Sequence, residues 1–133
     1  CMAEYIYPLW QTESGQLDCT ALLGQAGPNG CISSVGAKGP LQFMDGSWPE
    51  VAEPTWYIGN LHDSTRAACR MWSLMGLWAT IADREKFALR FSALDVTPYR
   101  RPSSWGDRCW NCGYDGKNQA YTVWDSAQLL LKK

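Results

Sequence analysis

A single, mainly helical domain with little or no sheet is the fold class this sequence predicts, and three observations predict it. Apolar residues recur at three- and four-residue steps through several stretches, most clearly Asp63 to Ala82. Alternating runs of β-branched residues, the mark of half-buried strands, are almost absent. The chain has 133 residues, enough for one hydrophobic core, and no linker, repeat or low-complexity segment divides it, so residues 1–133 are read as one domain.

The first expected helix runs from Tyr5 to Ser14, where Ile6, Leu9, Trp10 and Glu13 share one helical face. Pro8 is expected in its first turn or before it, because an interior proline removes a helix hydrogen bond, and Gly15 is the expected stop. The segment Gly24 to Gly39 is dense in Gly, Asn, Pro and Ser and reads as an irregular loop that Cys19 and Cys31 would clamp. Pro40 to Met44 follows as a short apolar turn or helix start, and Pro49 and Pro54 limit any helix between Asp45 and Trp56.

Asp63 to Ala82 carries Ala67, Ala68, Met71, Trp72, Met75, Trp78 and Ala79 at helical spacing, with Asp63 or Ser64 as the expected N-cap. Trp72 and Trp78 are expected to pack against the first helix. Asp83 to Leu94 reads as a further helix ended by the approach to Pro98, Arg100 to Lys117 as loop, and Gln119 to Leu131 as a final helix closing on Lys132 and Lys133.

With 12 basic and 13 acidic residues the net charge is −1, which lacks the positive field that nucleic acid or an anionic membrane selects. No apolar run is long enough to span a bilayer. The chain opens on Cys1 and not on Met, which reads as a processed or excised product, either a monomer or one domain of a larger assembly. Six cysteines, at 1, 19, 31, 69, 109 and 112, suit disulfides and an oxidising destination, extracellular or periplasmic. Cys19 with Cys31 is the preferred pair, from the loop they would close. The competing reading, a zinc site built on the CxxC pair Cys109 and Cys112, lacks a second CxxC, and His62 is the only histidine. No metal or other cofactor is expected, and His62 reads as a surface or capping residue.

The chemistry-bearing motifs are Glu13-Ser14-Gly15 at a helix end and, after the glycine-rich loop, GAKGPLQFMDGSW from Gly36 to Trp48. This arrangement resembles lytic transglycosylases of the lysozyme-like superfamily, the SLT-type and goose-type-lysozyme-like domains, where a helix ends in Glu-Ser and a GxxGxxQ(F/L)M segment follows. The resemblance continues more weakly at Asp63, Ala67 and Ala68, and at NQAYTV from Asn118 to Val123, where Tyr121 would be the site-facing tyrosine of the closing helix. The sequence departs from the family's pattern at Leu94 to Pro98, where Leu94 and Asp95 stand in place of Tyr-Asn, and at Asp45, where proline is frequent.

The resemblance implies a lysozyme-like fold with a substrate groove, and cleavage of the β-1,4 bond between N-acetylmuramic acid and N-acetylglucosamine in peptidoglycan strands. Glu13 would act as general acid and then base, giving a 1,6-anhydro product. Such a site needs a carboxylic acid protonated near neutral pH, which burial beside Trp10, Phe43 or Met44 would supply. Ser14, Gln42, Phe43, Met44, Trp48, Asp95 and Tyr121 are the expected substrate-binding residues, with Gln42 offering both donor and acceptor to sugar groups. Trp48, Trp105 and Trp110, in loop-like sequence, are candidate stacking surfaces. The alternatives are a hydrolytic muramidase, with Asp18, Asp45 or Asp95 positioning a water, and a silent glycan-binding module.

Overall fold

The computed structural model describes residues 1–17, 19, 31–33, 36–92 and 114–133, and within these the chain is largely α-helical. Five α-helices are present among the described residues: α1 (Ala3–Ser14), α2 (Trp48–Val51), α3 (Leu61–Leu74), α4 (Arg84–Phe91) and α5 (Tyr114–Leu131). A short 3-10 helix, Leu77–Thr80, links α3 to α4. The only extended pairing among the described residues is a pair of isolated antiparallel bridges, Ile32 with Lys38 and Lys38 with Phe43, so no sheet forms there.

Helix α5 is the centre of the packing and lies against both α1 and α4. Its contact face is built from Ala120, Val123 and Ala127, all fully buried, at i, i+3 and i+7. Small side chains on that stripe let two helices approach one helix closely. Tyr5, Ile6 and Leu9 of α1, Ala67, Ala68 and Trp72 of α3, and Phe87, Ala88 and Phe91 of α4 join it in the core, with Leu41, Phe43, Val51, Met75 and Leu77 from the intervening segments. Its aromatic rings meet edge-on or tilted: Tyr5 lies 5.8 Å from Trp78 and 5.5 Å from Phe87, and Trp72 lies 5.6 Å from Trp78 and 5.9 Å from Phe91. Of the two tryptophans expected to be buried against the first helix, Trp72 is buried and its ring neighbours are Trp78 and Phe91, whereas Trp78 is only half-buried and meets α1 through Tyr5.

Four sequence expectations are corrected. Pro8 sits inside α1, which continues on both sides of it because Tyr5, Ile6, Pro8 and Leu9 are all buried and the packing outweighs one missing hydrogen bond. The N-cap of α3 is Asn60, whose side chain accepts from the Asp63 amide at 2.9 Å, so Asp63 and Ser64 are already inside the helix. The long periodic stretch ends at Leu74, because Gly76 takes a left-handed conformation (φ 70) and the chain restarts as the 3-10 helix. Helix α5 begins at Tyr114, so the last part of the expected Arg100–Lys117 loop is helical. Asp83 caps α4 through the Lys86 amide, at the boundary the sequence suggests.

Disulfides join Cys19 to Cys31 and Cys1 to Cys69. The first is the pair preferred from sequence; the second ties the start of α1 to the middle of α3. Cys109 and Cys112 lie outside the described residues, as do Trp105, Trp110, Asp18 and the Leu94–Pro98 segment with Asp95. No metal-holding cluster of His, Cys, Asp or Glu occurs among the described residues. No helix there is long and apolar enough to cross a membrane. Two disulfides fit an oxidising compartment.

Candidate active site

Glu13 is the next-to-last residue of α1, and the chain behind it is tightly wired. Gly15 takes the left-handed conformation (φ 68) and its N–H donates to Gln11 O at 2.9 Å, while the Gln16 N–H donates to Trp10 O at 3.3 Å. Ser14 Oγ donates to Trp10 O and accepts from the Leu17 amide at 3.2 Å, and Trp10 Nε1 donates to Leu17 O at 3.0 Å. Ser14 and Trp10 thus secure the turn and do not line the site. Their work leaves the Glu13 side chain to project from a fixed helix end.

That side chain borders a cavity of about 90 Å³. From α1 the cavity is lined by Leu9 and Glu13, from the loop by Leu41 to Met44 and Ser47, from α3 by Ala68, Met71, Trp72 and Met75, and from α4 by Phe91. Its lining is mainly apolar, with Glu13, Gln42 and Ser47 as the polar members. The half-buried carboxyl of Glu13 is pushed above the usual carboxylate range by loss of solvent, against a weaker downward pull from the Gln119 amide. The carbonyl end of α1 acts in the same upward direction as burial. Among the described residues, no Lys or Arg lines the cavity to oppose it.

Gln119 of α5 reaches across to the end of α1. Its Nε2 donates to Glu13 Oε1 at 2.8 Å and to Thr12 Oγ1 at 3.0 Å. Sequence reading missed this residue and chose Tyr121 instead. The two positions are two residues apart on one helix and so point to nearly opposite sides of it. Tyr121 faces α4, where its hydroxyl donates to Glu85 Oε2 at 2.6 Å and Arg84 stacks 4.2 Å above its ring. A usable signal existed: Gln119 is four residues before Val123, and so belongs to the same buried side of α5.

The loop residues divide in two. Phe43 and Met44 line the cavity as expected. Gln42 also lines it, but its Nε2 is committed, donating to Gly39 O at 2.8 Å and Cys31 O at 3.2 Å. Gln42 holds a left-handed backbone (φ 57), which costs a non-glycine residue about 1 kcal/mol, and these two bonds hold it there. What remains for a ligand is its carbonyl Oε1, to which no described residue donates. Gly39 (φ 82) packs so tightly that a Cβ would lie 2.0 Å from Ile58 O. The loop is therefore clamped on one side by the Cys19–Cys31 disulfide and on the other by the chain before α3.

Trp48 does not line the cavity; it packs against Phe43, ring centroids 5.2 Å apart, and supports the loop from behind. Asp45 is exposed, pairs with Lys38 at 2.9 Å and stays outside the cavity, which removes it as a water-positioning group there. Asp63 accepts from the Tyr57 amide at 3.0 Å and from Arg66, a capping arrangement at the start of α3. Ala67 and Ala68 are buried, and the small Ala68 side chain opens the hollow between α3 and α1. His62 is exposed in the first turn of α3. Glu13 is the only carboxylate lining the cavity among the described residues.

No family model, no curated protein and no solved structure matches this chain.

Proposed function

We propose that this protein cleaves the glycan strands of peptidoglycan at the β-1,4 bond between N-acetylmuramic acid and N-acetylglucosamine, as a lytic transglycosylase with a lysozyme-like fold. The observation that carries the reading is the state of Glu13: a carboxyl at a rigid helix end, half-buried over an apolar hollow, with its pKa raised by loss of solvent. Such a carboxyl keeps its proton to higher pH than a solvated glutamate does, and can deliver it to a poor leaving group. The Glu-Ser-Gly and GAKGPLQFM motifs, which the fold brings to the two sides of that hollow, supply the substrate class by resemblance.

In this mechanism the Glu13 O–H bond breaks as a new O–H bond forms on the glycosidic oxygen. The bond from that oxygen to muramic C1 breaks, and its electron pair stays with the departing sugar. The substrate's own acetamido oxygen steadies the positive charge at C1. The muramic C6 hydroxyl then closes onto C1 and its proton returns to the Glu13 carboxylate, which restores the enzyme without consuming water. One carboxyl serves both steps, in keeping with Glu13 being the only described carboxylate at the cavity. Extracellular or periplasmic action fits a disulfide-bonded protein with this substrate.

Clearing of a peptidoglycan suspension by wild type and by Glu13→Gln tests the assignment. Loss of general acid and base catalysis is expected to lower the rate by about 10²- to 10⁴-fold. An unchanged rate in the variant contradicts it, and binding without release by the wild type would make the protein a glycan-binding module.

A further inference from the structure

We infer that Gln119, locked in orientation by Thr12, is a positioning residue that decides which oxygen of Glu13 carries the catalytic proton. The inference rests on the proposed role of Glu13. It starts from the hydroxyl of Thr12, whose single proton is donated to Leu9 O at 3.0 Å. Thr12 Oγ1 can therefore only accept from a second partner. With that proton on Leu9 O, the amide group 3.0 Å away presents its nitrogen to Thr12 Oγ1.

Once the amide is so oriented, both Nε2 protons are spent: one goes to Thr12 Oγ1 and the other to Glu13 Oε1. Glu13 Oε1 is then an acceptor in the neutral acid as well as in the carboxylate. A neutral carboxyl has one carbonyl oxygen and one hydroxyl, so the proton resides on Oε2. A glutamic acid without this contact would share its proton between two oxygens. Here the acid is poised with one oxygen engaged and the other carrying the proton for transfer. No other titratable side chain among the described residues lines the cavity, and Lys117 and Asp125 of α5 turn towards α4. Lys117 pairs with Glu85 at 2.8 Å and Asp125 with Arg84 at 2.8 Å.

Three variants test this: Gln119→Leu, which keeps bulk and removes the donors; Thr12→Val, which removes the acceptor that locks the amide; and Glu13→Gln. For each, kcat and KM for glycan release are measured against pH, and the Glu13 carboxyl is titrated by ¹³C NMR where it is present. Gln119→Leu is expected to lower kcat by about ten- to a hundredfold with KM within about twofold. It should also move the Glu13 titration, and the alkaline limb of the rate profile, to higher pH, because a donor that favoured the charged form is lost. Thr12→Val should move both in the same direction by less. An unmoved titration and profile in Gln119→Leu, whether kcat holds or falls only with the melting temperature, overturns the positioning role. Wild-type turnover in Glu13→Gln overturns the functional reading beneath it, whereas an inactive Glu13→Gln beside an unaffected Gln119→Leu overturns this inference alone.

Discussion

Glu13 stands between two opposed influences, burial that disfavours its charge and an amide that favours it, with burial the larger. The balance has a consequence for stability. Below the pKa of the unfolded chain the carboxyl is protonated in both states and contributes nothing. As pH rises past that value the unfolded chain ionises first and the folded state loses relative stability, until the penalty is complete above the raised folded pKa. Glu13→Gln keeps an oxygen for the Gln119 amide and removes the penalty. Its melting temperature should exceed that of wild type at about pH 8 and equal it at about pH 3, read by calorimetry. A catalytic group held at a cost to the fold behaves in this way, and a surface glutamate does not. The glutamate itself was legible in the sequence, because its motif and the helix stop after it are local. Its partner was not: choosing between Gln119 and Tyr121 requires the rotational setting of α5, which packing against α1 and α4 decides.

Among the elements, the loop from Cys31 to Ser47 does most to shape the site. The sequence signals its irregularity and its disulfide, but the two backbone constraints that define it come from contacts with distant chain. Gly39 meets Ile58 O, and Gln42 is held in a left-handed conformation by carbonyls of Cys31 and Gly39. Gly39→Ala should therefore destabilise the protein by more than about 2 kcal/mol in urea unfolding, from a disfavoured φ together with a backbone clash. Activity at low temperature should fall as well, since Phe43 and Met44 follow within the same loop. The helices show the complementary pattern. Their existence follows from apolar periodicity, whereas their ends depend on single residues whose weight periodicity does not reveal: Asn60 as cap, Gly76 as break and Pro8 as tolerated interior residue. Burial of four neighbouring side chains overrides the proline, and a cap one turn earlier than expected lengthens α3.

Across the whole molecule, the site is assembled from α1, the loop, α3 and α4, with α5 fixing the acid from behind, so its geometry depends on how the helices are held together. The Cys1–Cys69 disulfide closes a separation of 68 residues and Cys19–Cys31 one of 12. In the chain-entropy view these restrict the unfolded state by about 4 and about 3 kcal/mol. Replacing Cys1 and Cys69 together by alanine should shift the urea midpoint more than replacing Cys19 and Cys31. The second replacement should weaken activity more per unit of stability lost, because Cys31 accepts from Gln42 at the cavity wall. The mainly helical fold was legible from periodicity and from the lack of strand pattern. The cavity was not, since it is the space left where Ala68 meets larger neighbours on three other elements. The central claim is that one half-buried acid cuts a glycan strand without adding water, and mass spectrometry of the fragments released from purified peptidoglycan tests it most directly. The account predicts muropeptides one water lighter than reducing ones with the wild type, and none with Glu13→Gln. Reducing muropeptides, or equal release by the variant, would contradict it.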